Sequence, residues 1–260
     1  MRLRTLILAG ILLSVAAPRC FAPPPLVTGD VPTADPAHFE WYLGARYQDT
    51  GTIERQLPFT ELVYGIMDRW EVSAEMPFIS ENGEYGPGDF VLGTKAVAWT
   101  ETESRPGIAG SFEVKFPTGD AELGLGSGGY EYEVRLRSQK TFGWFTPILN
   151  VGYIWVPDVE VGGIQEPREN MIRASFAQEW QVASGTKLLS EIYWRTSDEA
   201  GDPDRLAWNA GFKQKVADSL TLHGAVGTSL RDDFKGGPDL RVYLGVKYEF
   251  GAPWAPKKTG

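Results

Sequence analysis

From His38 to Phe250 apolar and polar residues alternate, and the alternation runs through the whole stretch. Phe39, Trp41, Leu43, Ala45 and Tyr47 share one face, and Glu40, Tyr42, Gly44 and Arg46 share the other. Leu240, Val242, Leu244, Val246, Tyr248 and Phe250 likewise oppose Arg241, Tyr243, Gly245, Lys247 and Glu249. A period of two is the period of a β-strand. It divides the chain into twelve candidate strands: 38–48, 56–66, 70–79, 89–99, 107–117, 129–139, 144–156, 170–182, 186–196, 205–216, 219–230 and 239–250. At about 11 residues each, they have the length of a tilted bilayer span.

The charged residues of these strands fall on the polar face. They include Glu113, Lys115, Glu131, Glu133, Arg135, Arg137, Lys213, Lys215, Arg241 and Lys247. A soluble β-sandwich also alternates, with its charges in water and its apolar side in the core. Three features separate the two cases. Aromatic residues of the apolar face gather near strand ends (Trp41, Tyr47, Trp70, Trp155, Trp180, Trp194, Tyr248), while Leu, Val, Ala and Gly fill the middles. That is the girdle of a membrane barrel, in which the ring body lies in lipid and its polar edge among headgroups. Connections tend to alternate between short (Met67 to Arg69, Ala183 to Gly185, Ala217 to Asp218) and long (Ser80 to Gly88, Thr118 to Gly128, Pro157 to Glu169, Ser197 to Asp204). Thr100 to Pro106 departs from that rhythm. Finally, Tyr243 to Phe250 resembles the terminal strand read by the outer-membrane insertion machinery, although Gly251 to Gly260 follow it.

In lipid every backbone N–H and C=O needs a partner, and only a closed barrel gives strands that without an edge. The expected fold is therefore all-β: a transmembrane, antiparallel, up-and-down barrel of about twelve strands over residues 38–250, preceded by a signal peptide and a short Pro-rich leader. An even strand number puts both termini on the short-turn, periplasmic side.

The N-terminus reads as an address. Arg2 and Arg4 precede the apolar run Thr5 to Ala17, the pattern of a secretory signal over residues 1–22. Cleavage fits after Ala16 or after Ala22. Cys20 invites a lipoprotein reading, but Arg19 stands where a lipobox has a small residue. Loss of Arg2, Arg4 and Arg19 on a cut at Ala22 takes the formal charge from -9 to -12 and leaves no Cys. Export without disulfides fits the outer membrane of a Gram-negative envelope. Residues 23–37 carry five prolines and read as an irregular periplasmic leader, and residues 251–260 read as a C-terminal tail. The acidic balance argues against nucleic acid as a partner. One Cys and two His leave too few ligands for a zinc or iron–sulfur site, so neither metal nor cofactor is expected.

Several segments resemble the MetA-pathway phenol-degradation family of outer-membrane proteins. They are Pro24-Pro-Leu-Val-Thr-Gly-Asp30, His38-Phe-Glu-Trp-Tyr42, Pro58-Phe-Thr-Glu-Leu-Val-Tyr-Gly-Ile66, Gly88-Asp-Phe-Val-Leu-Gly-Thr-Lys95, Lys115-Phe-Pro-Thr-Gly-Asp120 with Gly124-Leu-Gly-Ser-Gly128, and Asn150-Val-Gly-Tyr153. The resemblance implies a barrel that takes up aromatic compounds, and it brings no catalytic residues.

The ten charged residues above are the candidate lumen lining. As a channel lining they would select solutes; as cross-strand ion pairs they would close and stiffen the interior. The leading expectation is passive passage of small, aromatic or hydrophobic solutes through a barrel sitting in outer-membrane lipid. One rival is a non-conducting structural barrel with a packed lumen. The other is an outer-membrane lipid hydrolase or acyltransferase built on His223 with Ser229 and Glu249 or Glu191; no catalytic residue is assigned. Gly124 to Gly129 read as a flexible extracellular loop able to fold inward.

Overall fold

The computed structural model describes residues 25–49, 53–199, 201–230 and 240–254. Fifteen strands form: β1 (His38–Asp49), β2 (Ile53–Met67), β3 (Trp70–Glu81), β4 (Glu84–Pro87), β5 (Phe90–Trp99), β6 (Gly107–Phe116), β7 (Glu131–Gln139), β8 (Phe145–Trp155), β9 (Val159–Val161), β10 (Ile164–Glu166), β11 (Met171–Ala183), β12 (Thr186–Arg195), β13 (Arg205–Ala217), β14 (Leu220–Ser229) and β15 (Leu240–Gly251). Twelve of them make the wall, in the order β2-β1-β15-β14-β13-β12-β11-β8-β7-β6-β5-β3, and pairing of β2 with β3 closes it. Every pairing in the wall is antiparallel. These are the twelve strands expected from the alternation, displaced by no more than a few residues at their ends.

The three extra strands belong to loops. Asn82 and Gly83 both have positive φ (50° and 92°), which turns β3 back into β4. Gly162 and Gly163 (58° and 80°) join β9 to β10 in the same way. Two residues with positive φ match the right-handed twist of flanking strands, so Asn-Gly and Gly-Gly favour tight hairpins.

Burial is inverted relative to a soluble domain. Leu136 is 59% exposed and Leu244 55%, while Glu133 and Arg135 are 3% and Glu191 1% exposed. A surface of this kind is stable only against lipid. Trp41 and Trp70, near the short-turn end, donate their indole N–H to Thr60 Oγ1 (2.9 Å) and Thr94 Oγ1 (2.7 Å). Trp155, Tyr130 and Tyr132 stand exposed near the long-loop end, so both girdles are present.

The leader departs from expectation. It was expected in the periplasm, but Pro25–Asp35 lies within the barrel, where Leu26, Val27, Thr28, Val31 and Ala34 are all buried. The irregular backbone has unpaired N–H groups, and the lumen wall holds carboxylate and amide oxygens in need of donors; each satisfies the other. The leader enters at the short-turn end, where Pro36 bridges Gly65 and Ala37 N donates to Gly65 O (2.8 Å). Gly65 is obligatory at that crossing, because a Cβ there would lie 2.2 Å from Asp35 O. The tail begins at the same end: Ala252 N donates to Ala37 O (2.8 Å), and Trp254 Nε1 to Tyr64 Oη (3.3 Å). The expected signal peptide, residues 1–22, and residues 255–260 of the tail lie outside the described residues.

Candidate functional site

The leader climbs one side of the lumen, touching strands in their barrel order. Ala34 N donates to Glu71 Oε2 on β3 (2.7 Å). Pro32 O accepts from Lys95 Nζ on β5 (2.5 Å), and Asp30 pairs with the same lysine (3.6 Å). Val31 N reaches Gln139 Oε1 on β7 (3.2 Å). Gly29 exchanges two hydrogen bonds with the amide of Asn150 on β8 (both 2.9 Å). At the top, Glu191 on β12 accepts from Val27 N (2.8 Å), Thr28 N (2.8 Å) and Thr28 Oγ1 (2.7 Å), and also from Asn209 Nδ2. One buried carboxylate with four donors is a strong anchor, since hydrogen bonds to a charged acceptor outweigh neutral ones.

Beside the leader, β6 and β7 form a sealed wall. Lys115 pairs with Glu131, directly across the strand pair, and lies 3.8 Å from Asp89. Arg135 binds Glu133 (2.7 Å) and approaches Glu113 (3.5 Å); Arg137 approaches Glu113 (3.5 Å); Arg173 of β11 binds Glu133 (3.0 Å). Six of the ten candidate lining residues (Glu113, Lys115, Glu131, Glu133, Arg135 and Arg137) are thus taken up in ion pairs within this wall.

The other side is open. A cavity of about 400 Å³ lies between the leader and the wall running from β11 through β15 to β1. Lys213, Lys215 and Lys247, three more of the predicted lining residues, stand on it, joined by Lys95 and Lys187. Lys213 and Lys187 both bind Glu179 (2.8 Å each), and Lys247 binds Glu249 (2.9 Å) and Glu40 (3.3 Å). Gly185 and Thr221, beside the short turns, mark its rim as the short-turn end. Leu26, Tyr42, Val63 and Ile148 supply apolar surface. Arg241 is buried in the wall but does not line this cavity. Within it sits Asp30. Enclosure in the barrel pushes its carboxyl up, yet the positive charges of Lys95, Lys213, Arg137 and Lys247 prevail and hold it down at about 2.

Above the cavity, Tyr42, Phe59, Val63 and Tyr243 pack with Ala34 of the leader. Tyr243 lies over the cross-strand glycines Gly44 and Gly245: a Cβ on either would sit within 2.7 Å of its hydroxyl. His223 is held between Tyr243 (stacked, 5.4 Å) and Tyr42 (edge-on, 5.8 Å).

The Ser–His–acid alternative does not assemble. His223 and Ser229 are six residues apart on one strand, hence roughly 20 Å apart at the usual rise. The His223 ring has the backbone of Val246 within hydrogen-bonding reach and meets no carboxylate or hydroxyl oxygen among the described residues, and Ser229 Oγ donates to Leu206 O (3.4 Å).

The glycine-rich loop is pinned, not loose. Asp89, 1% exposed, accepts from Gly119 N (3.0 Å), Ser127 N (2.8 Å) and Ser127 Oγ (2.8 Å), while Thr118 Oγ1 donates to Gly88 O (3.1 Å). The Gly88-Asp89, Pro117-Thr-Gly-Asp120 and Gly124–Gly128 segments thus form one cluster at the long-loop end. Sequence reasoning missed the leader, Lys95, Lys187 and Glu179. Lys95 and Glu179 were visible as inward charges; nothing in the sequence joined them to the leader.

The family model described as "Putative MetA-pathway of phenol degradation" matches residues 26–253. The chain belongs to this family. The match begins inside the leader, so the lumenal segment is part of the family's pattern along with the barrel. Among solved structures, the COG4313 outer membrane channel from Pseudomonas putida F1 is similar with a TM-score of 0.70 at 15% identity, covering 85% of this chain and 98% of that one. The KdgM porin aligns with a TM-score of 0.56 at 12% identity, over 82% of this chain and 99% of that one. Identities this low carry the fold: an outer-membrane β-barrel. No curated protein matches the sequence.

Proposed function

We propose that the protein is an exported outer-membrane channel giving passive passage to small solutes, with the leader as its constriction. The observation that carries this reading is the lysine-lined cavity of about 400 Å³ beside the leader. A barrel needing only to be stable would gain by filling that volume, since an empty interior forfeits packing. The leader narrows the passage through a few polar anchors at its far end rather than through a folded plug. Charge on the wall supports selection. Lysines of β12, β13 and β15 line one flank of the cavity, with Lys95 and Glu71 on the other, a charged lining able to select solutes. A channel and a porin are among the proteins of similar fold, in agreement with this reading. Insertion would proceed through the Tyr243–Phe250 strand, which closes the wall against β1.

Planar-bilayer recording tests it. Discrete conductance steps are expected, larger in a Glu191→Ala variant whose leader has lost its anchor. Silence at every voltage in both proteins would favour the second reading, a sealed structural barrel, which the ion pairs of the β6–β7 wall support. A hydrolytic role has no assembled nucleophile to support it.

A further inference from the structure

Resting on the channel reading, we propose that the cavity beside the leader is a binding site for small organic anions, a single carboxylate on an apolar body. Three independent features of the cavity agree on that chemistry. The first is its charge. Lys95, Lys187, Lys213, Lys215 and Lys247 line it against Asp30, Glu40, Glu71 and Glu179. All five lysines meet a carboxylate: Lys95 meets Glu71 and Asp30, Lys215 meets Asp218, and Lys247 meets Glu40 and Glu249. Lys187 and Lys213, however, share one carboxylate, Glu179, so that group keeps a net positive charge.

The second is the resident anion. Asp30 is a carboxylate brought into the cavity by the leader, beside Lys95. A ligand carboxylate entering from the short-turn rim would meet the same positive field a few ångströms away, around Lys213 and Lys247.

The third is the imidazole. His223, 2% exposed, lines the cavity; the backbone of Val246 is within hydrogen-bonding reach of its ring, and at least one ring nitrogen has no partner among the described residues. That nitrogen costs free energy while it stays unpartnered, and a ligand in the cavity relieves the cost. Tyr42 beside it, with Leu26, Val63 and Ile148, provides surface for the apolar body. A lumen of charges alone would hold inorganic ions equally well; the apolar part narrows the class to organic anions. The volume lies in the range of small-molecule sites.

The test is calorimetric titration of the detergent-solubilised full barrel with benzoate, acetate, phenol and benzylamine. Benzoate should bind at least about tenfold more tightly than acetate or phenol, and benzylamine should not bind. Lys213→Gln with Lys247→Gln should weaken benzoate by about tenfold or more, His223→Ala should weaken it, and Lys140→Gln in the β7–β8 turn should leave it unchanged. Heat-shifted gel mobility confirms that each variant is folded. Benzoate affinity that ignores the double lysine substitution, or that phenol equals, overturns the proposal. The channel reading fails separately: a barrel that binds benzoate yet stays silent in bilayers keeps this site and loses the pore, whereas conduction without benzoate binding does the reverse.

Discussion

The β6–β7 wall and the β13–β15 wall carry the same alternation and arrive at opposite ends. On β6 and β7, Lys115 faces Glu131 directly, and Arg135 reaches Glu113 on the diagonal and Glu133 two places along its own strand, bridging two acids that stand across from each other. On β13 to β15 no acid stands directly across from a lysine: Lys213 faces His223 on one side and Lys187 on the other, Lys215 faces Thr221, and Lys247 faces Thr221 and Tyr42. The first arrangement compensates its own charges and seals. The second draws its acids from other positions, Glu179, Glu40 and Glu249, at the edge of a hollow that the leader bounds but does not fill. Register, more than composition, decides whether an inward charge becomes structure or lining.

That contrast can be broken most forcefully at Glu133. Glu133→Ala leaves Arg135 and Arg173 buried without their carboxylate, and a broken buried pair costs about 3–5 kcal/mol. The midpoint of urea unfolding in detergent should fall accordingly; an unchanged midpoint would show that the wall is not the structural half. Lys213→Gln, on the open side, should move the same midpoint by less than about 1 kcal/mol while shifting ion selectivity towards cations, read from the reversal potential in a salt gradient.

The leader that separates the two halves gives the next test. Asp30 titrates at about 2 when docked, against 3.8 when free, so the docked state holds its proton less readily. Its contribution to docking is complete above about pH 4 and is lost as the pH falls through about 2. Conductance should therefore rise on acidification across that window, and Asp30→Asn should abolish the Asp30-dependent part of the rise. The smallest effect is expected outside the lumen. Trp41→Phe removes only the indole bond to Thr60 and should cost about 1 kcal/mol or less in the same unfolding measurement.

Much of this architecture was legible in the sequence because a membrane barrel writes itself in alternation. Leu136 must face lipid if Arg135 and Arg137 face the lumen, and a slip of one residue would put charges in the bilayer. The strand limits and the girdles follow from that. What alternation does not encode is who meets whom across the lumen. Glu191 looks like any other inward acid, and its four donors come from Val27, Thr28 and Asn209, the first two more than 160 positions away. Nor did the prolines of the leader disclose its location, since an irregular segment reads the same in the periplasm as inside a barrel. The Asn82-Gly83 and Gly162-Gly163 hairpins were readable from turn chemistry alone, but they were absorbed into loops.

The central claim is that the leader threads the lumen and is held at Glu191. In a chain with Cys20→Ser, the pair Thr28→Cys and Asn209→Cys tests it through a short bismaleimide applied to intact outer membranes. Efficient intramolecular cross-linking, with Thr28→Cys far slower to react with a bulky thiol reagent than Ser104→Cys in the β5–β6 turn, is the predicted result. Free labelling of Thr28→Cys at the rate of Ser104→Cys, with no cross-link, would put the leader outside the barrel and contradict the account.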